Sequence, residues 1–129
     1  MECTVIIVTH GKLANELVAT SNLLIGRQDS VVTVEFMPGE NLESLIKKLA
    51  GIIATVASQM AVLFVVDMVS GSPFNASAYF AKNRKATRVV AGVNIPMLVN
   101  ILLERQEILN LDDLVELAVS VGRSAVKKL

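Results

Sequence analysis

The chain contains one histidine, one cysteine and no tryptophan, and its positive and negative charges cancel. Each shortage excludes something. A lone cysteine closes no internal disulfide, which points to a reducing compartment, and it falls short of a usual zinc site even with the histidine added. The formal net charge of +0 at pH 7 gives no electrostatic footprint for nucleic acid or anionic lipid. No Gly-Lys-Ser/Thr phosphate loop and no GxGxxG follows a strand, so nucleotide is not the expected donor, and no cofactor or metal is called for. The GxSxG elbow of hydrolases is missing too, although Ser70-Gly71-Ser72 imitates it. Met60 to Val69 is the longest apolar run; Asp67 interrupts it, and it reaches only about half a membrane span. Met1-Glu2-Cys3-Thr4 lacks the basic start of a signal peptide, so a cytoplasmic location is expected.

What the chain has in quantity is apolar residues, 53% of 129 against 19% charged. That is one domain, residues 1–129, with a rich core. Cys3, opening an apolar run, reads as a small buried hydrophobe. Val5-Ile6-Ile7-Val8 is a β-branched run, followed by helical spacing at Leu13, Leu17 and Leu24 until Gly26 stops the helix. Val31 to Phe36 alternates like an edge strand, and Met37-Pro38-Gly39-Glu40-Asn41 turns the chain. Leu42, Leu45, Ile46, Leu49, Ile53 and Val56 then fall at helical intervals. Ala61 to Val66 and the centre of Arg88 to Val93 are wholly apolar, as strands buried on both faces are. Asn110 caps a last helix expected to reach about Gly122, and Arg123 to Leu129 reads equally as frayed helix or short strand. The alternation predicts an α/β, flavodoxin-like open sheet of four parallel strands in order 2-1-3-4, with helices on both faces.

In such sheets chemistry gathers at the carboxyl ends of the strands, near the point where strand order reverses. His10 follows the first strand and Asp67 the third, so neighbouring strand ends bring them together. Taken singly, a loop histidine is usually just solvated, and an aspartate ending a strand usually caps a helix. As a pair they do specific work. A carboxylate accepting the proton of one ring nitrogen leaves the other nitrogen unprotonated and nucleophilic. Ser72 is a preferred N-cap and Pro73 a preferred first helical residue, so a helix start is expected there. The Gly71-Ser72 turn before it offers backbone N–H groups and a positive helix end to an anion. A receiver-like fold would need acidic residues where this chain has Thr9-His10-Gly11. A histidine, an aspartate and an anion cradle suit passing a phosphoryl group between protein side chains.

Thr9-His10-Gly11, Met37-Pro38-Gly39-Glu40-Asn41, Val65-Val66-Asp67, Gly71-Ser72-Pro73-Phe74-Asn75-Ala76 and Ala91-Gly92-Val93-Asn94-Ile95-Pro96-Met97-Leu98 carry a resemblance over essentially the whole chain. The sequence resembles the IIA component (EIIA, type 4) of the mannose-fructose-sorbose family of the bacterial sugar phosphotransferase system (PTS). The resemblance implies a phosphotransferase that accepts phosphoryl from phospho-HPr on His10 and passes it to a IIB component, upstream of membrane IIC and IID subunits. It makes Asp67 the hydrogen-bonded carboxylate and places Ser72 at the phosphate loop. It also implies a homodimer with a C-terminal strand exchanged between subunits, a use for residues 123–129. Met68-Val69-Ser70 departs from the more polar or Gly-rich, aromatic-bearing stretch of mannose members, which bears on sugar class and partner fit. Those members fuse IIA to IIB, so this chain reads as a free-standing IIA or an excised domain. Met37, Met68 and Val69 are candidate docking residues for HPr and IIB, because methionine adapts to more than one partner; the competing reading is that all three are core. Lys82-Asn83-Arg84-Lys85 reads as the solvated end of a helix. Two other assignments compete: an EIIA-like carrier for a dihydroxyacetone kinase, and a non-catalytic flavodoxin-like binding module. Gly11 after the histidine and the long Gly71 to Asn75 loop weigh against the first.

Overall fold

A computed structural model describes residues 1–129. Four strands, β1 (Cys3–His10), β2 (Val31–Phe36), β3 (Ala61–Val66) and β4 (Thr87–Ala91), alternate with helices α1 (Leu13–Ile25), α2 (Leu42–Ile53) and α3 (Ser72–Asn83). Two more helices, α4 (Ile95–Glu104) and α5 (Leu111–Ser124), complete the chain. All strand pairs are parallel and the order is β2-β1-β3-β4, as the alternation predicts. No helix is long and apolar enough to cross a membrane.

Alternating side chains divide β1 and β3 between two cores, because successive residues of a strand face opposite ways. Val5, Ile7, Leu63 and Val65 pack with Leu17, Leu98, Ile101 and Leu114 on one face. Ile6, Val8, Val62, Phe64 and Val66 pack with Leu45, Leu49, Ala76 and Phe80 on the other. Both central strands thus bury both faces, which is why they lack polar alternation. The register pairs Val8 with Val66 and His10 with Phe36. That register sets Asp67 beside the end of β1.

Side-chain caps start three of the helices. Asn41 and Ser44 form a reciprocal capping box at α2, and Asn94 and Asn110 accept from Met97 N and Asp113 N at α4 and α5. Gly26, at φ 79°, ends α1 as expected.

Several expectations need correction. The fourth strand stops at Ala91, because Gly92 at φ 85° turns away, and its edge position leaves Arg88 exposed rather than the strand buried on both faces. On α1 only Leu17 of the three leucines expected to line its inner face is buried. Leu13 and Leu24 are 45% and 62% exposed, and Ala14 and Ser21 complete the inner face. The last helix runs to Ser124, two residues past Gly122, and the chain beyond it is neither helix nor strand here. A further one concerns the cap of α3, which is Gly71 and not Ser72.

Arg105 follows α4 and is buried, with 4% exposure. Its guanidinium donates to the carbonyls of Cys3 at 2.9 Å and Ser30 at 3.1 Å, and to that of Asp29. The terminal ammonium of Met1 donates nearby to the carbonyls of Arg105, Gln106 and Ile108. Together they tie the start of β1, the α1–β2 turn and the end of α4.

Cys3 is buried as expected, and burial pushes its thiol from an ordinary value of 9.0 up to about 11. At pH 8 a thiol reagent should leave the native protein unmodified and label Cys3 once the chain is denatured. Rapid labelling of the native protein would contradict this burial. Between pH 9.0 and about 11 the unfolded chain releases a thiol proton that the folded chain keeps. The associated stability is therefore intact below that window and is lost as pH rises through it.

Candidate active site

His10 is the last residue of β1, not the residue after it, and its side chain remains 46% exposed. Thr9 before it is fully buried, and its Oγ1 accepts from Ala14 N at 2.8 Å. That bond serves an N–H of the first turn of α1, whose N-cap residue, Lys12, makes no side-chain cap. Gly11, at φ 57°, makes the turn, and its N–H donates to the carbonyl of Phe36 at 2.8 Å.

Asp67, one residue beyond β3, is largely covered, with 15% of its side chain exposed. Its Oδ2 accepts from the backbone N–H of His10 at 3.0 Å and lies 2.7 Å from His10 Nδ1. Its Oδ1 accepts from Met68 N at 3.1 Å. The pairing expected from adjacent strand ends is present, and it is tighter than expected. One carboxylate oxygen holds both the backbone and the ring of His10. Because a carboxylate only accepts, Nδ1 carries the proton and Nε2 presents its lone pair.

The Cε1–Nε2 edge of the His10 ring faces Gly71. A Cβ built on Gly71 would lie 3.1 Å from His10 Cε1 and 3.3 Å from Nε2, and Gly71 sits at φ 86°. Here the structure corrects the expected cap. Gly71, not Ser72, is the N-cap of α3, Ser72 is its first residue, and the helix starts without a side-chain cap. A preferred capping residue followed by proline suggested the shifted frame; the backbone at φ 86°, ψ 167° and the tight approach to the imidazole together favour a bare glycine at the cap. Val69, Ser70 and Gly71 have no intrachain acceptor for their backbone N–H groups, and they precede the positive end of α3. Ser70 adopts φ 67°, left-handed backbone of a kind that concentrates at functional loops.

The candidate docking residues form part of the rim and are not core. Met68 and Val69 are 51% and 67% exposed, and Met37 is half-buried. Glu40 holds the Met37 to Glu40 turn by accepting from Met37 N at 2.7 Å and pairing with Lys48 at 2.6 Å. Those two contacts, that with Lys48 first, hold the Glu40 carboxyl below its ordinary range. No group of three or more His, Cys, Asp or Glu is arranged to hold a metal ion.

Sequence reasoning missed Phe36. Its ring stands 5.9 Å from the His10 ring at 83°. The signal was available in the edge-strand alternation of β2, but only the register places its last residue against His10.

A family model described as the PTS system fructose IIA component matches residues 4–119. The chain is 43% identical over its full length to the PTS system mannose-specific EIIAB component of Escherichia coli (strain K12), of which it spans 40%. It is 33% identical over 105 residues to the PTS system fructose-specific EIIA component of Bacillus subtilis (strain 168), covering 81% of this chain and 72% of that protein. Among solved structures, the mannose/sorbose specific IIA subunit of the phosphotransferase system from Enterococcus faecalis superposes with a TM-score of 0.92 at 26% identity, covering 100% of this chain and 96% of that one. With the fold, the strand-end pair and these likenesses in agreement, the chain belongs to the EIIA family of the mannose-fructose-sorbose group of the sugar phosphotransferase system.

Proposed function

We propose that residues 1–129 form a type-4 EIIA domain, a cytoplasmic phosphoryl carrier that accepts phosphoryl from phospho-HPr on His10 Nε2 and delivers it to a IIB component. The observation that carries this reading is the single imidazole held at Nδ1 by Asp67 Oδ2 at 2.7 Å, with its Cε1–Nε2 edge facing the Gly71 cap of α3. The Nε2 lone pair attacks phosphorus in line, the N–P bond of the donor phosphohistidine breaks, and the donor ring leaves with that electron pair. Transfer between two phosphohistidines is nearly balanced, so the protein's work is positioning and electrostatic support. Asp67 supports the ring as it becomes cationic. Backbone N–H groups of residues 69–71 and the start of α3 would receive the phosphoryl oxygens, with the Ser72 hydroxyl beside them. Delivery to IIB runs the same geometry in reverse.

Incubation with phosphoenolpyruvate, Enzyme I and HPr should place an acid-labile phosphoryl group on the protein, and His10→Ala should abolish it. A wild-type protein that takes no label would favour a non-catalytic binding module. Gly71→Ala should cut transfer at least about tenfold, because the new Cβ crowds Nε2. It should also cost about 1–3 kcal/mol of stability, because φ 86° with ψ 167° is backbone essentially reserved for glycine, and chemical denaturation reads that separately from the rate.

Met37, Met68 and Val69 are proposed contacts for both partners. Chemical-shift mapping with HPr should perturb this rim, and an unperturbed rim would rule the contact out. A homodimer is supported by the unpaired edge of β4 and by the groove of about 500 Å³ beside it, lined by Val89, Ala91, Arg123 and Val126. Residues 123–129, which carry exposed Val126 and Leu129, are the proposed exchanged segment.

A further inference from the structure

The Asp67 contact holds one ring atom of His10 and does not by itself set the tilt of the imidazole. On the β2 side there is room to tilt into, a concavity of about 370 Å³ lined by His10, Phe36, Met37, Pro38 and Glu40 among others. The Phe36 ring stands on that side, perpendicular to the imidazole at 5.9 Å. Phe36 itself is well held. It packs against the core of Ile6, Val8, Leu45 and Phe64, and its carbonyl accepts from Gly11 N, which clamps the turn that follows His10.

We propose that Phe36 is a positioning residue for phosphoryl transfer: its ring stops the imidazole from swinging toward the β2–α2 turn and keeps Nε2 aimed at the Gly71 cap. This rests on the carrier reading above. A ring pinned at Nδ1 alone samples directions from which in-line attack fails, and each misdirected fraction lowers the rate without weakening partner binding. Edge-to-face packing is favourable for paired aromatic rings and unavailable to an aliphatic residue. Phe36 acts through His10 and touches no reacting atom.

The test compares Phe36→Leu, which keeps the apolar bulk, with Phe36→Tyr, which keeps the ring. For transfer from phospho-HPr, Phe36→Leu should lower kcat about tenfold and leave KM within about twofold, and Phe36→Tyr should restore kcat. The ¹⁵N and ¹³C relaxation of the single histidine ring should be as slow-moving as the backbone in the wild type and in Phe36→Tyr, and faster in Phe36→Leu. An unchanged kcat in Phe36→Leu would overturn the proposal, as would an equal loss in Phe36→Tyr. A change confined to KM would overturn it by making Phe36 a docking contact. Should Phe36→Leu fail to fold, a mobile His10 ring in the wild type is sufficient to overturn it. Because relaxation needs no phosphoryl donor, a wild type that takes no label but keeps a rigid ring would fault the carrier reading and not the positioning.

Discussion

Asp67→Ala is expected to slow phosphoryl transfer about a hundredfold, an increase of about 2.7 kcal/mol in barrier, while the KM for phospho-HPr moves by less than about twofold. The asymmetry follows from what Asp67 touches. Its side chain is only 15% exposed and its oxygens are taken up by His10 N, His10 Nδ1 and Met68 N. Without the carboxylate the imidazole loses the tautomer that frees Nε2, the support for its cationic form, and the tie to its own backbone. Asp67→Asn should fall between the two. Its amide oxygen can still accept from His10, but the amide nitrogen must then face the Met68 N–H, donor against donor. A full rate in Asp67→Ala would show that tautomer control contributes nothing.

Arg105→Met is expected to destabilise the protein by about 3 kcal/mol, seen as a drop of roughly 10 °C in Tm. The methionine fills the space but leaves the carbonyls of Cys3 and Asp29 without their charged donor in a buried place. Ser30 keeps a second partner, because its carbonyl also accepts from Val5 N at 3.0 Å. Arg105→Lys should recover less than half of the loss, since one ammonium cannot span carbonyls that a planar guanidinium reaches together. Denaturant titration settles it; a Met variant within about 0.5 kcal/mol of wild type would contradict the role given to Arg105.

These two residues differ in how legible they were. Asp67 was found because a strand end and a neighbouring strand are sequence-level features, so topology alone brought it to His10. Arg105 was invisible: its partners lie 75 to 102 residues away and are backbone carbonyls, which carry no residue-type signal. The two central strands and the last residue of β2 were read to within two residues of their ends, since β-branched runs and the turns that stop them are local. The β4 edge was overread, because an apolar stretch looks the same in a central strand and beside a groove. At α3 the helix was expected in the right place, but its cap and its first residue each lie one position earlier than expected. Capping preference spoke for Ser72, while the space demanded by His10 required Gly71, and only the fold contains that demand.

Phosphoryl is expected on Nε2 of His10 while Asp67 holds Nδ1. With one histidine in the chain, ¹⁵N-histidine labelling gives a single imidazole to observe. After phosphorylation by phosphoenolpyruvate, Enzyme I and HPr, a one-bond ³¹P–¹⁵N coupling should appear at Nε2, with Nδ1 still bearing its proton. Coupling at Nδ1, or a phosphoryl group with no coupling to this ring, would contradict that placement.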